Sequence, residues 1–432
     1  MRTLTVVLLL LSACAIGYGQ NALTAIKCGK LIDGKSDSAI ENAVILIDGN
    51  KIKEVGTHVA IPAGARIVDL SKSTVMPGLI DAHVHVLLQG DITSDDYDVQ
   101  LLKQSIAYRA LRASLSCKTA LMNGFTTLRD LGTEGAMYAD VDLKKAINNG
   151  IIDGPRLFVG GRAINSTGHY PMSNRDYTWE WKVPKGLIEI TGATEARRAV
   201  REELSYGTDW VKIYADRSYY RLGDGSFRSL PNFTPEEINA LGDETSMHRK
   251  KMAAHAVTRD GIIPAIKAGA ASIEHGFGID DECITLMVEK GIYWCPTIYV
   301  NEFVAEGRAA VGSMMNKVFS QTLPATFNKA LKAGVKIAYG TDAGGFDWTV
   351  NEAKDFSYMV KWGMTPMQAI KSATTVAAQL LDMNGKIGEI SPGAFADIVA
   401  SKDDPLKNIS VLEHVGFVMK DGKVYKDEIG RK

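Results

Sequence analysis

The hydrophobic positions of this chain fall into three textures. Residues 4–16 form an apolar run directly behind Met1-Arg2. From residue 23 to 75 the apolar positions come in short β-branched runs broken by turn residues. Ala43-Val44-Ile45-Leu46-Ile47 stops at Asp48-Gly49-Asn50 and resumes as Lys51-Ile52-Lys53-Glu54-Val55-Gly56, which predicts a hairpin. The far end repeats that texture in Ala396-Asp397-Ile398-Val399-Ala400, Val415-Gly416-Phe417-Val418-Met419 and Lys423-Val424-Tyr425. Between residues 76 and 385 strand-like runs alternate with helical stretches instead, the pattern of repeated βα units on a parallel sheet. Eight candidate strands centre on residues 79–86, 126–131, 156–160, 210–214, 252–256, 271–275, 293–297 and 336–340. Eight such units predict an α/β fold of the (β/α)8 barrel type, with an open doubly wound sheet as the alternative. No G-x-G-x-x-G opens a helix, so nothing cradles a dinucleotide.

A chain of 432 residues exceeds a single ordinary domain, and one large and one small unit are expected. The boundaries read as 1–19 for a signal peptide, 20–75 and 386–432 for the two β-rich ends, and 76–385 for the barrel. The run over residues 4–16 is too short to span a bilayer, and Gly17 and Gly19 offer the small residues a signal peptidase inspects, which predicts cleavage before Gln20. The mature protein is then exported, periplasmic or secreted. Leu11-Ser12-Ala13-Cys14 gives a rival reading, since it resembles a bacterial lipobox in which Cys14 carries the lipid. The balance of 49 basic against 50 acidic residues, with no Lys/Arg run longer than three, predicts neither a nucleic-acid partner nor attraction to an anionic membrane. Cys28, Cys117, Cys283 and Cys295 are widely spaced without a C-x-x-C pair, so they write neither a thiolate zinc site nor a disulfide framework.

Candidate chemistry sits at the ends of the predicted strands. His83-Val84-His85 places two imidazoles on one face of the first barrel strand, at the carboxyl end where barrel active sites are built. That is bidentate metal geometry. In Asp209-Trp210-Val211-Lys212-Ile213-Tyr214-Ala215 an apolar strand carries one lysine in its middle. Facing the barrel interior, desolvation would drive Lys212 towards its neutral amine, which can take up carbon dioxide as a carbamate; facing outward, it would snorkel or pair with an acid. His255 and His275 end two successive strands, and Asp342 follows the last in Gly340-Thr341-Asp342, where it is either a helix cap or a ligand.

The order Pro77-Gly78-Leu79-Ile80-Asp81-Ala82-His83-Val84-His85, Val211-Lys212, His255, His275 and Gly340-Thr341-Asp342 resembles the amidohydrolase superfamily. More narrowly, it is similar to the binuclear Xaa-Pro dipeptidase (prolidase)-like and ochratoxin-amidase-like branch. The resemblance implies a distorted (β/α)8 TIM barrel beside a small β-sandwich built from both chain ends. It also implies that His83, His85 and Asp342 hold one divalent metal, that His255 and His275 hold a second, and that carboxylated Lys212 bridges the two. All-N/O ligands suit zinc, with manganese or cobalt as substitutes. His169 is implied as a donor to the substrate carbonyl, and Tyr219, Tyr220 and Arg221 as contacts to substrate.

The activity so implied is hydrolysis, by a hydroxide bridging the metals, of the amide bond in small carboxyl-terminated substrates: Xaa-Pro or other dipeptides, N-acyl amino acids and ochratoxin-like amides. Asp342 would carry the proton to the leaving amine. The alternatives are an imidazolonepropionase-like hydrolase of cyclic amides or esters, with phosphotriesterase side activity, and a periplasmic binding protein that keeps the barrel without catalysis. Lys212 favours the two-metal class over the one-metal imidazolonepropionase type. A homo-oligomer is compatible with the sequence, which specifies no oligomeric state.

Overall fold

A computed structural model describes residues 23–169 and 178–429 of the chain; the predicted signal peptide and Cys14 lie outside the described residues. All eight predicted barrel strands are present. Strand one (Leu79–Val84) pairs in parallel with strand two (Phe125–Asp130), and strand two with strand three (Arg156–Val159). Strand four (Trp210–Tyr214) pairs with five (Lys251–Thr258), then six (Ala270–Gly278), seven (Tyr293–Cys295) and eight (Lys336–Ile337), all in parallel. The ring closes at two seams. Asp209 N–H donates to Val159 O at 2.8 Å between strands three and four, and Ala82 N–H to Tyr339 O at 2.9 Å between strands one and eight. The distortion is visible at the first seam, where two short strands, Ile164–Ser166 and Ile188–Ile190, are added beside strand four.

The helices between strands carry their own stop and start signals. Thr234 and Glu237 form a capping box with Pro235 in the first turn, Asp280 caps Asp281–Lys290, and Gly291 and Gly334 close helices in the left-handed conformation. The helix Gly192–Ser205, for example, turns a small and aliphatic stripe of Ala196, Ala199 and Val200 inward.

The two β-rich chain ends share one sheet. Its order is Lys423–Asp427, Phe417–Lys420, Ile398–Ser401, Arg66–Pro77, Thr24–Leu31, Val44–Asp48 and Lys51–Gly56, with Ile40–Glu41 attached to Thr24–Leu31. Ile26, Ile45 and Ile47 from one side of that order pack in the same apolar cluster as Ile398, Ala400 and Phe417 from the other. The sheet therefore curls over its own core, as a sandwich does. Its longest strand, Arg66–Pro77, leads straight into barrel strand one through Gly78. A Cβ at Gly78 would meet the Thr126 hydroxyl at 2.1 Å, so only glycine lets the chain pass from sheet to barrel there. Cys28, Cys117, Cys283 and Cys295 are buried free thiols. Among the described residues no helix is long and apolar enough to cross a membrane.

Candidate metal centre

The period-two alternation of strand one puts His83 and His85 on the same side, with ring centroids 5.4 Å apart. Asp81 fixes this strand end against strand eight. Its carboxylate accepts from His83 N–H at 3.0 Å, from Thr341 N–H at 3.1 Å and from the Thr341 hydroxyl at 2.5 Å. Asp342 is thereby brought over the histidines, with Oδ1 3.6 Å from His83 Nε2 and 3.3 Å from His85 Nε2. Strands five and six deliver the other two imidazoles: the His255 and His275 rings are 4.5 Å apart, and His275 lies 4.9 Å from His83. Ligating atoms of His83, His275 and Asp342 lie within 4.8 Å of one another. The backbone pays for this convergence with left-handed conformations at His275 (φ 70°), Thr297 (φ 44°) and Asp342 (φ 62°), strain of the kind held at functional sites.

Each histidine is oriented by a second contact. His83 Nδ1–H donates to Glu274 Oε2 at 2.8 Å and His85 Nδ1–H to Gly132 O at 2.9 Å. His275 Nδ1 meets the Thr297 hydroxyl at 2.8 Å, and His255 Nε2 the Tyr219 hydroxyl at 2.7 Å. For His83 this bond places the proton on Nδ1 and leaves Nε2 with its lone pair free, the arrangement metal-binding histidines use.

Lys212 lies in the middle of strand four and is only 1% exposed. Among the described residues its Nζ has no hydrogen-bond partner, and neither has the buried Nε2 of His83. Burial lowers the Lys212 pKa, against the pull of Glu274 and Asp342. Burial also brings His83 down to about 4 and holds His255 and His275 well below the usual imidazole range, with the charge of Lys212 or of neighbouring imidazoles adding to it. Burial opposes charge on His85 too, but its hydrogen bond and attraction to Asp342 push it up to about 9. Asp342 stays below its ordinary value because His85, His83 and Lys212 outweigh its desolvation.

Orphaned nitrogens on His83 and Lys212, neutral imidazoles and an ionised carboxylate form a donor set that fits divalent cations. His83, His85, Lys212, His255, His275 and Asp342 are thus brought together at the strand tips. Above them opens a cavity of about 770 Å³.

The other predicted residues divide. His169 lines the cavity and is held through Nδ1, 2.6 Å from the Ser166 hydroxyl. Tyr219 also lines it, against His255. Tyr220 and Arg221 do not: Tyr220 is 44% exposed, and Arg221 Nε donates back to Gly225 O at 3.1 Å within its own hairpin. That hairpin, Asp216–Arg221 with Phe227–Pro231, shifts register between Arg217 and Tyr220, where Ser218 adopts φ 58°. The shift turns Arg217 rather than Arg221 into the cavity.

Sequence reasoning missed Glu274 and Arg129. The Glu274 carboxylate is fully buried and takes Arg129 Nη2 at 2.9 Å on the oxygen not facing His83. Burial would raise its pKa, but Arg129 and His83 hold it far below the ordinary range. The signal was available: Ser272-Ile273-Glu274-His275 sets an acid in an apolar strand, just as Val211-Lys212-Ile213 sets a base.

Known proteins align with this chain over nearly its full length. It is 31% identical to the ochratoxinase of Aspergillus niger across 94% of this chain and 87% of that protein. A crystal structure of a Xaa-Pro dipeptidase with bound methionine in the active site superposes with a TM-score of 0.84 at 36% identity, covering 94% of this chain and 100% of that one. A prolidase complexed with N-methylphosphonate-L-proline gives a TM-score of 0.81 at 28% identity, again over 94% and 100%. The amidohydrolase family profile matches residues 74–425, from the last strand before the barrel to the last strand of the sheet. Fold, strand-tip chemistry and sequence therefore agree that the chain belongs to the amidohydrolase family and is a hydrolase acting on amide bonds.

Proposed function

We propose that this protein is an exported two-metal hydrolase of small amides that end in a free carboxylate: Xaa-Pro or other dipeptides, N-acyl amino acids and ochratoxin-like amides. The observation that carries the two-metal reading is the Lys212 amine, buried among imidazoles and a carboxylate without a hydrogen-bond partner among the described residues. A neutral amine there can add carbon dioxide, with loss of one proton, and become a carboxylate on a long arm. His83, His85 and Asp342 would hold one cation, His255 and His275 the other, and carboxylated Lys212 both; zinc suits these ligands. When bound, such a pair supplies Lewis acidity at the scissile carbonyl and makes water nucleophilic near neutral pH.

The chain's own groups do the rest. Asp342, ionised beside His85, accepts the proton from water and passes it to the leaving amine. His169, fixed by Ser166, donates to the carbonyl oxygen as negative charge develops there. Arg217 provides the cationic partner for the substrate carboxylate. The similarity to a Xaa-Pro dipeptidase, a prolidase and an ochratoxinase supports this substrate class. The predicted leader over residues 1–19 supports export.

Purified, metal-loaded protein is to be profiled on free dipeptides and N-acyl amino acids against lactams, esters and phosphotriesters. Turnover of free-carboxylate amides is expected. Turnover of lactams or esters alone would overturn the reading.

A further inference from the structure

The cavity above the metal centre has two unlike rims. Strands seven, eight and one are neighbours in the ring, and the segments that follow strands one and seven bring Asp91 and Arg308 to the cavity wall. Strands three and four are neighbours at the other seam, and the segments after them bring His169 and Arg217. In an eight-stranded ring strands seven, eight and one lie opposite strands three and four, and the two sets of groups line one cavity. Aliphatic and aromatic side chains, among them Leu88, Val300, Val304 and Phe319, line the cavity as well.

Asp91 is held by its backbone alone. Its N–H donates to Gly345 O at 3.0 Å, and its carbonyl accepts from Arg308 Nη2 at 3.2 Å while Arg308 Nε donates to Ile92 O at 3.1 Å. The side-chain carboxylate accepts no hydrogen bond among the described residues, although it lines the cavity. Burial pushes this carboxyl up to about 7, against the pull of Arg308. A carboxylate left without a partner on a half-buried cavity wall gains from a cation that arrives to meet it. Opposite, the one hydrogen bond of the Arg217 guanidinium among the described residues runs to Asn232 Oδ1 at 3.1 Å, so it retains donors for an anion.

We propose that Asp91 is a specificity-determining residue that binds the free α-ammonium of the substrate, so that unblocked, zwitterionic dipeptides are preferred to N-acyl amino acids. The inference rests on the carboxyl-terminated amide reading above and narrows it. The carboxylate end meets Arg217, the ammonium end meets Asp91, and the scissile carbonyl is left over the histidines between them.

The test is steady-state kcat/KM on one hydrophobic dipeptide and its N-acetyl counterpart, for the metal-loaded wild type and Asp91→Asn. Losing the partner of a charge on a half-buried cavity wall costs enough that the wild type should favour the free dipeptide by about 30-fold or more. In Asp91→Asn that preference should shrink to within about threefold, through a raised KM for the free dipeptide. Equal wild-type activity on both substrates would overturn the proposal while leaving the carboxyl-terminated amide reading intact. A preference that survives in Asp91→Asn would overturn it too. Turnover of neither substrate would remove that reading and this inference with it.

Discussion

The surroundings of Arg129 and those of Lys212 are opposite in kind, although both are cations buried in the barrel interior, on strands two and four. Every nitrogen of Arg129 has a partner. Its guanidinium donates to Ala82 O at 2.5 Å, to the Ser272 hydroxyl at 3.0 Å and to Glu274 at 2.9 Å, and it stacks 4.4 Å above the Trp210 ring. Lys212 makes no hydrogen bond among the described residues. A buried cation with every nitrogen partnered is part of the scaffold, while an amine with no hydrogen bond is stable only when neutral or with a partner the chain does not supply. Glu274 links the two, since it pairs with Arg129 on one oxygen and orients His83 with the other. The paired region thus positions a candidate ligand, His83, for the unpaired one.

The sharpest division between these regions lies in catalysis. Asp342→Asn, on the Lys212 side, should lower kcat by about 10²–10⁴-fold, the usual range for a general acid–base group, with much of the bound metal retained. An unchanged rate would assign Asp342 no proton. Arg129→Met should act on the fold instead: stranding Glu274 without its cation should cost about 3–5 kcal/mol in denaturant unfolding. A loss under about 1 kcal/mol would mean that Arg129 is not the counterion the geometry makes it. Glu274→Gln tests the link, because weakening the contact that orients a ligating histidine typically costs about 10–100-fold in metal affinity. Unaltered affinity would uncouple the two regions. The smallest effect is expected at the unpaired cation itself: in metal-free protein Lys212→Met should change unfolding stability by less than about 1 kcal/mol, since a volume-conserving swap there breaks no hydrogen bond. A loss comparable to that of Arg129→Met would show that Lys212 has a structural partner.

The barrel and the convergence of its candidate ligands were legible in the sequence because both follow short periods. Alternation placed His83 and His85 on one face, and the βα rhythm placed Lys212, His255, His275 and Asp342 on or just after strands four, five, six and eight. What escaped depends on geometry without a period. The register shift at Ser218 decides that Arg217, not Arg221, reaches the cavity, and nothing in Arg217-Ser218-Tyr219-Tyr220-Arg221 announces it. Glu274 and Arg129 were hidden for another reason. They satisfy each other across strands two and six, and only the fold shows which buried charges find partners. Asp91 follows strand one by several residues, in a segment whose backbone is pinned from Gly345 and Arg308 far along the chain.

The central claim is that the unpaired amine of Lys212 completes a site for two cations, and elemental analysis of metal in fully active protein, wild type beside Lys212→Ala, tests it most directly. The account predicts two divalent ions per chain in the wild type and a clear fall in the variant, partly restored by short-chain carboxylic acids. One ion per chain in active wild type, with the same content in Lys212→Ala, would contradict it.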